Sequence, residues 1–91
     1  MPIKNEKVAR AWYYGAEAQN HKGTFWTDGR NLYSYALCIG TTVGDQKILA
    51  DFTAQSGHFI STSTAKHVGK ARDWASEVMN PTVFKLTIQQ G

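Results

Sequence analysis

The spacing of apolar side chains predicts a helix near the start of the chain. Val8, Trp12 and Ala16 recur every four residues, which places the three side chains on one face of a helix. Asn5 is a residue type that commonly caps a helix N-terminus. The pattern therefore predicts a helix over about residues 5–15.

The middle of the chain alternates with a period of two, as half-buried strands do. Residues 32–39 place one set of apolar side chains on one face, and residues 47–52 alternate in the same way. A turn signal at residues 43–45 separates these segments, so they are expected to pair as an antiparallel hairpin. Residues 27–29 also carry a turn signal, and residues 58–60 form a third short candidate strand.

A second helix is predicted after a run of hydroxyl residues that can act as N-caps, residues 61–64. One helical face is then apolar at Val68, Ala71, Ala75, Val78 and Met79. Asn80-Pro81 is expected to end this helix, because proline disfavours helical geometry in the residue before it. Residues 82–88 alternate again and predict a last strand.

The element order helix, two or three strands, helix, strand indicates an α+β fold. We predict a small single domain over residues 1–91, with a largely antiparallel sheet of 3–4 strands and two helices. The longest apolar runs, residues 36–39 and 48–50, fall far short of the roughly 20 residues that span a membrane. The first ten residues are polar and lack the apolar centre of a secretory signal. These features predict a soluble intracellular protein with no membrane association.

Catalytic and metal-binding motifs are absent from the sequence. The histidines His21, His58 and His67 have no metal-ligand spacing, and Cys38 is the single cysteine. An isolated cysteine on a predicted strand usually serves as a small apolar side chain. We therefore predict a protein that is not an enzyme and that uses no metal and no cofactor.

The start of the second predicted helix combines hydroxyl and basic side chains. Basic residues there are unfavourable by about 0.3–1 kcal/mol each, because the helix dipole is positive at this end, and a bound phosphate would reverse that effect. The alternative is a set of redundant caps followed by a solvated basic face. As candidate phosphate ligands we select Ser61, Ser63, Thr64, Lys66, His67 and Lys70.

A second candidate segment, residues 25–35, combines aromatic rings with polar side chains. Aromatic faces can stack on a nucleobase, and arginine can pair with phosphate or stack. The alternative is a hairpin whose aromatic residues belong to the core. As candidate base or ribose contacts we select Trp26, Arg30, Tyr33 and Tyr35.

The same segments carry a resemblance that extends over residues 5–81. The pattern consists of Trp12-x-x-Gly15, Thr27-Asp28-Gly29-x-x-Leu32-Tyr33-Ser34-Tyr35, Ile39-Gly40, Phe59-Ile60-Ser61-x-x-Thr64-x-x-His67-Val68 and Asn80-Pro81. It resembles a family of small proteins of unknown function encoded by tailed bacteriophages. The resemblance implies a viral protein made in the cytoplasm of a bacterial host, and it assigns no functional residues.

Taken together, these observations predict a counter-defence protein that sequesters a small phosphorylated nucleotide. A homo-oligomer is expected, because a 91-residue domain has little room to enclose such a ligand alone. One alternative is a nucleic-acid-binding accessory protein that uses Lys4, Lys7 and Arg10, although the net charge of +3 is modest for that class. Another is an inhibitor that binds a host defence protein through residues 12–14.

Overall fold

The computed structural model describes residues 4–53, 57 and 60–90, with side chains through residue 87. Within these residues the elements are α1 (Asn5–Tyr14), β1 (Glu17–Gln19), β2 (Phe25–Asp28), β3 (Leu32–Ser34), β4 (Leu37–Val43), β5 (Gln46–Ala50), α2 (Thr62–Arg72), β6 (Glu77–Met79) and α3 (Pro81–Gln90). The predicted α+β class is confirmed. The described part of the chain has more elements than predicted, with six strands and three helices.

The strands form one sheet in the order β1-β2-β3-β4-β5-β6. The first four pairings are antiparallel, as predicted, and β6 joins β5 in parallel, so the sheet is mixed. The predicted hairpin appears as β4 and β5, which flank Gly44 and Asp45.

The main core lies between the sheet and the helix pair α1 and α2. Trp12 is fully buried there, packed among apolar side chains that include Leu32 and Leu49. Its indole Nε1 donates a hydrogen bond to the Arg30 carbonyl over 3.0 Å. A smaller cluster joins Ile48, Ala50 and Phe84 of α3. Since successive strand residues face opposite sides, α3 covers the opposite face of the sheet.

The predicted strand over residues 32–39 is interrupted in the structure. Tyr35 and Ala36 form a two-residue turn between β3 and β4, and Ser34 pairs with Leu37 across it. Tyr35 has a φ of 58°, in the left-handed region. The alternation of apolar residues therefore continues through a reversal of chain direction, which periodicity alone does not reveal.

The predictions for the last third of the chain need correction. The second helix ends at Arg72, and Val78 and Met79 belong to strand β6. Pro81 does not follow a helix but begins α3, where a missing amide hydrogen costs nothing. The Asn80 carboxamide caps this helix by accepting a hydrogen bond from the Thr82 amide over 2.8 Å. Residues 82–88 were predicted as a strand, and that prediction is wrong.

Residues 58 and 59 of the third candidate strand lie outside the described residues, and Ile60 is exposed and not in a strand. Strand β1 has exposed ends and no apolar alternation, so the sequence pattern did not indicate it. The turn signal at residues 27–29 marks the reversal after β2. There the Asp28 carboxylate accepts from the amides of Arg30 and Asn31 over 3.0 and 2.7 Å.

Candidate functional site

A cleft of about 360 Å³ opens where the first residues of α1 and α2 approach two loops of the sheet. We call it the basic cleft. It is lined by Lys4, Asn5, Asn20, His21, Lys22, Thr24, Tyr35, Ser63, Lys66 and His67. Among the residues that the structure describes, the lining contains three lysines and two histidines, and no carboxylate. Its chemistry is therefore that of an anion site.

His67 forms the most buried part of the cleft wall. Only 4% of this residue is exposed, and its ring stacks on Phe25 with centroids 4.5 Å apart and planes inclined by 5°. The ring atom Nδ1 lies 2.7 Å from Ser34 Oγ. The other ring nitrogen, Nε2, has no hydrogen-bond partner among the described residues. No buried side-chain polar atom in that part of the chain is left unpaired, so Nε2 is reached by solvent in the cleft.

A chain of hydroxyl groups leads to the Nδ1 ring nitrogen of His67. The Ser61 hydroxyl donates to Thr64 Oγ1 over 3.1 Å, and Thr64 Oγ1 lies 3.0 Å from Ser34 Oγ. Thr64 can then donate to Ser34, and Ser34 to His67 Nδ1. This direction assigns the proton to Nε2, which presents an N–H donor to the cleft.

The positive charge of the cleft comes from lysines rather than from His67. Burial lowers the pKa of the His67 imidazole, because the charged ring would lose its hydration. The ring is therefore a neutral donor near pH 7. Lys4, Lys22 and Lys66 make no ion pair with any described residue. Their charges are available to a ligand.

Two helix N-termini add partial positive charge to the same cleft. Lys4 is the N-cap of α1 and makes no side-chain capping bond, so the first amides of this helix lack a side-chain acceptor. Asn5 was predicted as the cap, and that prediction is wrong, because its Oδ1 accepts from Asn20 Nδ2 over 2.9 Å. In α2, Ser61 does cap the helix and accepts from the Thr64 amide over 3.1 Å. Unsatisfied amides at a helix start favour an anion.

Asn20 holds the third wall of the cleft, the loop between β1 and β2. Besides Asn5, its Nδ2 donates to Thr24 Oγ1 over 3.0 Å, and its Oδ1 accepts from the Thr24 amide over 2.9 Å. These bonds fix the loop that carries His21 and Lys22. The only signal for this wall in the sequence is the adjacent basic pair His21-Lys22.

The predicted phosphate ligands are only partly brought together. Ser63, Lys66 and His67 line the cleft, whereas Ser61 and Thr64 lie behind it in the hydroxyl chain. Lys70 lines a separate groove between the two helices. The other lining residues of the cleft, which the sequence analysis did not assign to this site, are Lys4, Asn5, Asn20, His21, Lys22 and Thr24.

The predicted base contacts are divided between the two faces of the sheet. Tyr35 lines the cleft, is half exposed, and its ring centroid lies 6.2 Å from that of His67. Trp26 and Tyr33 stack on each other with centroids 4.1 Å apart. They alternate with the buried Phe25 and therefore lie on the opposite face. Arg30 is exposed in the turn at the far end of that hairpin.

Other chemistry has little support in the described residues. Ser34 is 1% exposed, so its hydroxyl orients His67 and does not reach a ligand. Burial raises the pKa of the Cys38 thiol, which donates to the Gly40 carbonyl over 3.3 Å. No group of three or more potential metal ligands occurs in the part of the chain that the structure describes. Within that part, every helix is too short or too polar to cross a membrane.

Comparison with known proteins gives no match: neither a protein family, nor a curated protein, nor a solved structure is significantly similar to the chain.

Proposed function

We propose that this protein binds a small phosphorylated nucleotide in the basic cleft and sequesters it without chemical conversion. The observation that carries the proposal is the cleft itself, which two helix N-termini and three lysines line, with no carboxylate among its described lining residues. Phosphate oxygens would accept from the lysines, from Ser63 and from the His67 Nε2–H. A phosphate group carries three strong acceptor oxygens and can therefore accept from several of these donors at once.

The nucleoside part of the ligand is proposed to contact Tyr35. This half-exposed ring stands beside the buried imidazole and offers an aromatic face for a base. The cleft volume of about 360 Å³ lies at the lower end of the roughly 300–1,000 Å³ range of ligand sites. A cleft of that size leaves part of a nucleotide uncovered. The proposal therefore includes a homo-oligomer in which a second copy covers the open side.

The biological setting is proposed from the sequence resemblance to phage proteins. A phage protein in the bacterial cytoplasm that holds a nucleotide signal would keep the signal from its receptor. The mode of action is then counter-defence by sequestration, which requires tight binding and no catalysis.

Calorimetric titration with a nucleoside 5′-monophosphate and its parent nucleoside tests this function. We expect binding of the phosphorylated form only, and a loss of about ten-fold or more in the Lys66→Gln variant, because a charged hydrogen bond is worth about 1.5–3 kcal/mol. Lys85→Gln is the matched control, since it removes the same charge from α3 on the opposite face of the sheet. Equal binding of the nucleoside, or an equal loss in both variants, would contradict the proposal.

Two further readouts separate sequestration from catalysis and from monomeric binding. Chromatography after prolonged incubation should recover the nucleotide unchanged. Light scattering of the purified protein should give a multiple of the 10.1 kDa chain mass.

A further inference from the structure

A second cavity, of about 480 Å³, lies between α1 and α2. We call it the interhelix groove. Its lining residues are Glu6, Lys7, Arg10, Lys70, Asp73 and Trp74. The two helices run side by side in the same direction, because their first residues share the basic cleft and Tyr13, near the end of α1, meets Trp74, just after the end of α2, with centroids 5.2 Å apart. The groove therefore lies next to the cleft, further along the same two helices.

Basic side chains continue from the cleft into the groove on both helices. On α1 and its cap they occur at Lys4, Lys7 and Arg10, three residues apart, and on α2 at Lys66 and Lys70, four residues apart. Such spacings place side chains on one helix face. A ligand whose phosphate occupies the cleft thus meets further cations in the direction of the groove.

An aromatic cluster closes the far end of the groove. Trp74 lines the groove, and Tyr14 lies next to it with ring centroids 6.3 Å apart. The Arg10 guanidinium carbon stands 5.8 Å from the Tyr14 ring centroid. Tyr14 is 66% exposed. Exposed aromatic rings beside arginine are the surface on which nucleobases stack.

The two carboxylates in the groove decide which kind of ligand suits it. Glu6 and Asp73 would repel a chain of bare phosphates or an acidic peptide. They can accept hydrogen bonds from ribose hydroxyls and from exocyclic amino groups of bases. Cations, carboxylates and aromatic rings together match a nucleoside better than a simple polyanion.

We propose that the interhelix groove binds the second nucleoside of a dinucleotide whose terminal phosphate occupies the basic cleft. This inference rests on the proposed function and narrows its ligand class. The base of the second nucleoside stacks on Trp74 and Tyr14, and its ribose is held near the groove carboxylates. The linking phosphate lies along the cations between the two sites.

Paired titrations with a nucleoside 5′-monophosphate and a 5′-phosphorylated dinucleotide of the same base test the inference. We expect the dinucleotide to bind about ten-fold more tightly, the contribution of roughly one stacked base. Tyr14→Ala and Trp74→Leu should remove this advantage and leave mononucleotide affinity unchanged. Because Trp74 also contacts the core, the exposed Tyr14 keeps the test valid if Trp74→Leu fails to fold. Tyr33→Ala, on the opposite face, is the control and should retain the advantage.

The possible outcomes separate this inference from the function on which it rests. Equal affinity for the two ligands would overturn the second subsite and leave the nucleotide site in place. Binding of neither ligand would overturn both proposals. Affinity that keeps rising with longer oligonucleotides would overturn the dinucleotide assignment and indicate a groove for single-stranded nucleic acid.

Discussion

At the scale of single residues, Tyr35 is the clearest conflict between local preference and structure. It occupies the first position of a two-residue hairpin turn with a φ of 58°. A side chain in this region costs about 1–2 kcal/mol, and glycine is the usual occupant of such turn positions. The Tyr35 ring lines the basic cleft. Unfavourable backbone geometry is found most often at binding sites, where the surrounding structure holds a side chain in position for a ligand.

Replacing this residue should therefore separate stability from binding. Tyr35→Gly is expected to raise the free energy of unfolding by about 0.5–1 kcal/mol, since strain relief exceeds the entropic cost of glycine. The melting temperature should rise by a few degrees, while nucleotide affinity falls. Ala36→Gly is the control, because Ala36 has no positive φ and should only lose stability. A less stable Tyr35→Gly protein would contradict the interpretation of strain.

His67 should make stability depend on pH. Burial holds its pKa below the usual value of about 6.5 in the folded state, so the unfolded chain binds the proton first as pH falls. Stability is therefore expected to be highest above about pH 6.5 and to decrease below it. Urea unfolding at several pH values measures this effect. His67→Phe should flatten the dependence between pH 7 and 5, and an unchanged slope would exclude His67 as its source.

At the scale of elements, two glycines show how packing decides the effect of the same substitution. A Cβ at Gly69 on α2 would meet nothing within 4 Å, whereas a Cβ at Gly40 on β4 would lie 2.9 Å from Trp12 Cζ2. Gly69→Ala is expected to stabilise the protein by about 0.5–1 kcal/mol through helix propensity. Gly40→Ala should destabilise it by about 1–3 kcal/mol through overpacking. Thermal unfolding of both variants tests this contrast, and shifts of the same sign would contradict it.

The elements that sequence could predict are those whose local signals agree. The first helix and the start of the second were located because apolar spacing and residue type indicate the same structure. For the last helix the signals conflict, since Asn80-Pro81 can end one helix or cap the next. The alternation after it resembles a strand, yet Phe84 is buried and Leu86 is 55% exposed. Packing of Phe84 on the sheet decides in favour of the helix.

At the scale of the whole molecule, positively charged side chains are concentrated on one side of the sheet. Of the ten lysine and arginine residues, three line the basic cleft and three line the interhelix groove. These six come from three separate segments, so the net charge of +3 gave no indication of their grouping. Sequence reasoning found the segment that contributes Ser63, Lys66 and His67. Nothing in the sequence indicated that the loop held in place by Asn20 lies beside this segment, because such contacts are set by the tertiary fold.

The side-by-side arrangement of α1 and α2 has a consequence for the lifetime of the protein. Two positive helix ends and three lysines lie close together, and their mutual repulsion opposes folding until an anion neutralises it. A ligand at one hundred times its Kd adds about 2.7 kcal/mol to the free energy of unfolding. Proteases degrade the unfolded fraction, which therefore shrinks as the ligand accumulates. The abundance of the protein would thus follow the concentration of the nucleotide that we propose it binds.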